Sequence, residues 1–321
     1  MKLSSKRIFQ NRKLVQNLLL VLVILGLTVL FTAFNRRYLS VNNFFNIMTQ
    51  MSINLIVATG VTFVVIARGI DLSIGSVMAM SGCIAAVMMA KGVSIFPSIC
   101  AGVLSGILAG ILIGVLVAKG KVPPFVTTLG MMSIARGIAL IITRGRVIIG
   151  LPDRFNAIGL GFIKKVFPIP VLISLVIFGI CWVVLNRTKF GFSVFAAGGN
   201  PEVTRLSGIN TDRVLIKVYT ISAMLAAVAG IVLTARVSSG QPNLATGYEL
   251  QAVAAVVIGG ASLLGGEGSL SGTFLGASLM AMLPTGLNML NVHYFYQQVI
   301  IGCIIIGAVL LDSIRSKARL T

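Results

Sequence analysis

Histidine is almost absent: His293 is the single one in 321 residues. That scarcity excludes most histidine-ligated metal sites and leaves no Ser-His-Asp set spread through the chain. Acids are nearly as scarce. The seven are Asp71, Asp153, Glu202, Asp212, Glu249, Glu267 and Asp312, and none lies in the middle of a long apolar run. A carrier driven by protons or sodium places a carboxylate near the bilayer midplane, so only Asp71, Glu249 and Glu267, at the ends of runs, are candidates for such a mechanism. Arg68 and Asp71, beside Gly69, read more simply as an ion pair at a helical turn. No phosphate-binding GxxxxGK(S/T) occurs. The nearest stretch, "GVLVAKGKV" at 114–122, has the wrong spacing and no Ser or Thr after Lys121, so no nucleotide is expected on this chain. The four cysteines, Cys83, Cys100, Cys181 and Cys303, make no CxxC pair and read as small core residues.

What is abundant is apolar surface. Hydrophobic residues make up 57% of the chain and charged ones 10%, the balance of a polytopic membrane protein. Runs and breakers place ten helices at about 17–34, 45–67, 72–90, 96–118, 124–143, 168–186, 214–236, 249–264, 269–289 and 295–311. The first run ends in "FNRR" without a small-residue cleavage site, so it is expected to stay as the first span rather than leave as a signal peptide. The organisation is then a cytoplasmic segment 1–16, one transmembrane domain 17–311 and a cytoplasmic tail 312–321.

The formal charge of +19 is carried by the short segments between runs, not by a stripe interleaved with aromatics, so nucleic acid is excluded as a partner. With both termini inside, the cytoplasmic segments hold the majority of Lys and Arg, among them Arg68, Lys119, Lys121, Arg187, Lys189, Arg205 and Arg213. The outer segments hold Arg36, Arg37, Lys91, Arg144, Arg146, Arg154, Lys164, Lys165 and Arg236. The asymmetry favours both termini in the cytoplasm.

Glycine marks helix contacts. Gly102, Gly106, Gly110 and Gly114 line one helix face, and Gly268, Gly272 and Gly276 repeat the device, letting backbones approach where lipid supplies no hydrophobic drive. A weak internal echo links "VTFVVIARGIDLSIGS" (61–76) with "VAAVVIGGASLLGGEGS" (253–269); a repeat of the kind transporters carry and a chance match of common residues both fit it. Polar residues inside runs, among them Gln50, Asn54, Thr59, Thr62, Thr127, Thr128 and Asn288, either bridge helices or hydrogen-bond a polyhydroxylated solute. Arg136, the basic residue well inside a run, either snorkels outward or faces a polar path.

The longest cytoplasmic connection, 187–213, contains "GGNPEVTRLSGIN" from Gly198 to Asn210. Asn200 is a good N-cap, Pro201 fits the first helical position, Glu202 suits the positive dipole end and Gly208 can close the helix left-handed. A helix of about two turns outside the membrane is not stable alone. Its apolar Val203 and Leu206, with Ile209 just beyond, therefore need a partner, either this chain's own helix ends or another protein's groove.

"AAGGNPEVTRLSGIN" resembles the cytoplasmic coupling segment of the ribose-type permeases of bacterial ATP-binding-cassette sugar importers. "ARGIDLSIGSVMAMSG", "VPPFVTTLGMMSIARG", "SSGQPNLATGYELQAVAAVVIGGASLLGGEGSLSGTFLGA" and "GLNMLNVHYFYQQVIIG" are similar to the same family, in order, over nearly the whole chain after Phe44. The resemblance implies an all-α permease of the type II importer kind in the bacterial cytoplasmic (inner) membrane. It would be paired with a second permease copy, a cytoplasmic ATPase that holds ATP and Mg, and a periplasmic or extracellular sugar-binding protein. On that reading Gly198, Gly199, Asn200, Pro201, Glu202, Val203, Thr204, Arg205, Leu206, Gly208 and Ile209 form the ATPase-coupling element, and Asn54, Thr62, Thr127, Thr128, Arg136 and Asn288 are candidates for the translocation path of a monosaccharide. An ion-coupled secondary carrier for a small polar solute is the alternative.

Overall fold

The computed structural model describes residues 2–164 and 167–320; Lys165, counted among the outer cations above, lies outside them. The helices in chain order are α1 (Lys2–Phe34), α2 (Val41–Ile66), α3 (Ile74–Ala90), α4 (Ile95–Ala118), α5 (Pro124–Thr143), α6 (Asp153–Leu160), α7 (Ile169–Arg187), α8 (Lys189–Gly199), α9 (Pro201–Leu206), α10 (Thr211–Arg236), α11 (Tyr248–Ile258), α12 (Leu270–Met289) and α13 (Tyr294–Leu320). A short 3-10 turn, Arg36–Leu39, joins α1 to α2, and the two-residue strands β1 (Phe162–Ile163) and β2 (Phe167–Pro168) pair antiparallel before α7.

Helices stand at all ten expected places, but among the described residues seven are long and apolar enough to cross a membrane on their own: α2, α4, α5, α7, α10, α12 and the Leu14–Phe34 part of α1. The chain is thus a multi-pass, mostly helical protein. The expected span at 249–264 is corrected to the 11 residues of α11, because Gly259 caps the helix and Gly260, at φ +89°, turns the chain away. The region 187–213, expected as a loop with one short helix, holds α8 as well as α9. Thr188 starts α8 by accepting a hydrogen bond from the Gly191 amide at 3.3 Å.

The core lies where α2 and α10 cross. From Ser52 to Ile66 every residue of α2 is buried, and most of α10 is buried too, whereas the apolar stretch of α1 is largely exposed and fits a lipid-facing helix. The α4 glycines form a groove for α10 running the opposite way. Gly102 meets Ser81 of α3 and Ile231, Gly106 meets Ala223 and Ala227, Gly110 meets Tyr219 and Thr220, and Gly114 meets Ile216. On α12, Gly272 and Gly276 lie against the backbone of Gly259 and Ala255 at the end of α11, while Gly268 packs on the Ile66 side chain. An added methyl at Gly276 would overlap the Ala255 carbonyl. Gly276→Ala is therefore expected to cost about 1–3 kcal/mol by overpacking, seen as a lower unfolding temperature of the purified protein.

Cys83 and Cys181 are buried, as small core residues should be, but Cys100 and Cys303 are exposed, so the expectation fails for those two. Their helix faces are turned outward, where a bilayer accepts a cysteine as readily as a core does.

The echo between 61–76 and 253–269 coincides with two alike helix stops, a close that α3, α9, α10 and α12 share, so the stops alone do not make it a structural repeat. α2 stops at Ile66 and α11 at Ile258, the matching residues, and both stops have one hydrogen-bond pattern. The Ala67, Arg68 and Gly69 amides donate to Phe63, Val65 and Val64; the Gly259, Gly260 and Ala261 amides donate to Ala255, Val257 and Val256. Arg68 at φ +65° and Gly260 at φ +89° take the same left-handed position, a Schellman-type close. Beyond each stop the chain runs without regular helix before α3 or α12 begins.

Candidate functional site

Two regions collect the polar residues that a largely apolar fold would otherwise avoid. The first is built around α9. Asn200 Oδ1 accepts from the Glu202 and Val203 amides, each at 3.1 Å, and Thr204 Oγ1 donates back to Asn200 O at 2.7 Å. At the other end the Gly208 amide donates to Arg205 O and the Ile209 amide to Thr204 O, with Gly208 at φ +83°. Thr204 is the buried side of this helix, while Val203 is 56% and Leu206 87% exposed. The chain's own helix ends therefore do not cover these two side chains.

α9 is mounted firmly. α8 before it is locked on the spans by Phe190, whose ring stacks on Phe63 of α2 at 6.4 Å and lies under the Lys217 ammonium of α10 at 5.8 Å. At the end of α8, Gly198 seats directly on the Ile66 carbonyl, which also accepts from the Gly266 amide at 2.8 Å. Gly265 lies against Gly198 O and Arg68. Three pieces of backbone meet here: the stop of α2, the end of α8 and the loop that leads into α12. On the other flank Asp212 holds Lys121 at 3.2 Å and Arg205 at 3.6 Å, tying the α4–α5 turn to α9. A cleft of about 210 Å³ opens between them, lined by residues including Lys121, Glu202, Arg205 and Asp212. Exposed ion pairs of this kind contribute little stability; their effect is on orientation.

The second region lies within the helix layer. The segment 67–73 leads from the stop of α2 into the start of α3. Asp71 in this segment is fully buried; it accepts from the Ser73 amide at 3.0 Å, Ser73 Oγ at 2.6 Å and Ser222 Oγ of α10 at 2.8 Å. The expected Arg68–Asp71 ion pair does not form. Arg68, at the left-handed stop, is exposed, and serine donors satisfy the carboxylate instead. Facing the start of α3 is the segment 237–247, and an added methyl on Gly75 would meet Ala245 O and Glu249 Oε2.

The residues expected along a path do not form one group. Thr62 bonds Ala58 O and Thr273 Oγ1 between α2 and α12, at 2.7 and 2.8 Å. Thr127 and Thr128 bond back to Pro123 O and Pro124 O within α5. Asn54 is buried with neither side-chain polar atom partnered within the chain, and so is the Thr59 hydroxyl. Gln50 accepts from Arg236 at 3.0 Å and Asn288 from Gln297 at 2.7 Å, near the ends of their helices. Arg136 reaches across to an irregular segment: Nη1 donates to Pro242 O and Leu244 O at 2.5 and 2.9 Å.

Residues 43–309 match the family described as the permease component of the branched-chain amino acid transport system. The chain belongs to that family. The permease is 40% identical over 290 residues to the ribose import permease protein RbsC of Haemophilus influenzae, covering 89% of this chain and 90% of the relative. It is 41% identical over 292 residues to RbsC of Bacillus subtilis, covering 90% of each. To the L-arabinose transport system permease protein AraH of Escherichia coli it is 38% identical over 275 residues, covering 84% of this chain and 82% of the relative. No solved structure gives a significant match. The permease is thus a transporter subunit and not an enzyme, and its packed helices and exposed α9 belong to a membrane protein that works with partners.

Proposed function

We propose that the chain is the membrane subunit of an ATP-binding-cassette importer that moves ribose, or a closely related pentose or hexose, into the cytoplasm. The observation that carries the reading is the full-length likeness to sugar permeases, at 38–41% identity. ATP and Mg reside on a separate ATPase; an external binding protein delivers the sugar; two permease copies enclose the path in the bacterial inner membrane. α9 inserts Val203 and Leu206 into an apolar groove of the ATPase, and closure of that subunit is passed through the seat at Ile66 to the spans.

The arrangement of loops supports ten membrane-embedded helices with both termini in the cytoplasm. Lys121, Arg205 and Asp212 meet at one end of the bundle. At the other end Arg236 bonds Gln50, Asn35 donates to Met289 O, and Ile148 bridges to Gly240. α3 and α11 count as the shorter pieces, of 17 and 11 residues, that begin or end inside the layer.

The test is uptake of radiolabelled D-ribose by proteoliposomes holding the permease, its ATPase and its binding protein. Uptake is expected to require ATP and to survive collapse of proton and sodium gradients by ionophores. The purified permease alone is expected to show no ATP hydrolysis above the lipid background. Uptake that vanishes with the ion gradient and continues without the ATPase would establish the secondary-carrier reading instead.

A further inference from the structure

Irregular backbone at membrane depth is tolerated only where protein buries it or water lines it, and the segment 237–247 is covered only in part within one chain: Ser239, Gly240, Pro242 and Ala245 are buried, their neighbours are not. Asn243 and Thr246 are exposed, Glu249 is half-buried and Leu250 is 51% exposed. The depth follows from two helices. Arg136, which holds Pro242 O and Leu244 O, is about 18 Å along α5 from Pro124 and about 10 Å from its other end, at 1.5 Å per residue. Gly75, which abuts Ala245 O and Glu249, begins a helix that needs a further rise of about 22 Å to reach Ala90. In a hydrocarbon layer of about 30 Å both place residues 242–247 in the interior, below the bundle end where Gly240 pairs with Ile148.

Arg136 and Glu249 grip opposite ends of this segment, Glu249 through its Oε1 acceptor on the Gly247 amide at 3.2 Å. They do not pair with each other: among the described residues the ion pairs within 4.0 Å are those of Asp212. Arg136 donates only through Nη1 and Glu249 accepts only through Oε1, so each keeps hydrogen-bonding capacity in reserve. A half-buried guanidinium and carboxylate cannot rest against lipid tails. Together they make a locally neutral patch, offering donors and acceptors without a net field.

We propose that Arg136, Glu249 and the exposed Asn243 and Thr246 form the solute-contact patch of the path, built for a neutral polyhydroxylated molecule. The carboxylate accepts from vicinal hydroxyls and the guanidinium donates to hydroxyl or ring oxygens. A uniformly charged solute gains from one of the two and is repelled by the other, which makes the pair a selectivity element. The proposal rests on the reading of the chain as a sugar permease, and it adds the residues that touch the sugar.

Two measurements on the assembled complex test it. In a chain carrying Cys100→Ser and Cys303→Ser, Asn243→Cys and Thr246→Cys are expected to react with a membrane-impermeant thiol reagent, and D-ribose supplied with its binding protein and ATP is expected to slow the reaction. Failure to label, as when lipid or the second permease copy seals the surface, overturns the proposal even if ribose uptake by the unaltered complex is intact. Glu249→Gln keeps an acceptor for the Gly247 amide but loses the carboxylate; ribose uptake is expected to fall on the order of tenfold, the effect of losing a charge-assisted hydrogen bond, with the unfolding temperature unchanged. Unaltered uptake, or a fall that tracks a lower unfolding temperature, overturns the assignment. An unaltered complex that carries no ribose would contradict the proposed function, while the labelling result would still report on the patch.

Discussion

Leu206→Asp is expected to abolish ATP-driven uptake while the purified permease keeps its unfolding temperature. Leu206 is 87% exposed on a helix whose caps are made entirely by its own backbone and by Asn200 and Thr204, so the substitution removes no contact within the chain. In a partner's apolar groove the same side chain is worth about 1.5–3 kcal/mol, and a buried unpaired carboxylate costs more. The combined loss corresponds to on the order of a hundredfold or more in affinity for the ATPase. Co-purification of the two subunits, with uptake measured in parallel, checks it. Glu202→Lys should act in the same direction but more weakly, since reversing one charge at an exposed helix start costs about 0.3–1 kcal/mol. Full assembly and uptake by Leu206→Asp would remove α9 from its role.

Gly198→Ala is expected to be the second severe change, for a different reason. An added Cβ would overlap the Ile66 carbonyl and crowd the Gly266 amide, both of them backbone with nowhere to go. The expected cost is about 1–3 kcal/mol of stability together with loss of coupling, because relief of the clash moves α8 off its seat. Gly199→Ala, one residue on, meets nothing within 4 Å and should be close to neutral, within about 0.5 kcal/mol. Unfolding temperature and ribose uptake, measured on the pair, separate a requirement for close approach at one position from a general need for glycine in the turn.

How much of this was legible in the sequence depends on the range of the physics involved. Caps are local: Asn200, Pro201 and Gly208 announced α9 because their chemistry concerns backbone a few residues away. The long apolar spans were equally plain. What composition could not convey is where a helix begins inside the layer. "ARGIDLS" and "SSGQPNLATG" read as short turns between spans, yet they descend into the fold, and that depends on Ser222 and Gly75, residues far away in sequence. For the same reason Asp71 was given to Arg68, its neighbour along the chain, while its actual partner on α10 lies 151 residues away. The polar candidates Thr62, Thr127 and Thr128 could not be sorted from Arg136 by type alone; a threonine hydroxyl that bonds its own helix and one that faces a path look the same in sequence. The second helix, α8, is not legible because "KFGFSVFAAGG" carries three glycines, Gly191, Gly198 and Gly199, and the packing that offsets them, of Phe190 and of Gly198, is with residues distant in sequence.

The two matched helix stops bear on how a movement is shared. Ile66 closes α2, and the Gly266 amide that binds its carbonyl follows the close of α11. A lever seated on that single hydrogen bond works as a common yoke. The segments that lead into α3 and α12 meet at that bond. Interiors this tightly packed switch between discrete arrangements instead of bending, so on the proposed role of α9 a stroke there would reach both helix stops in step, and a phase difference between them would first have to break the yoke.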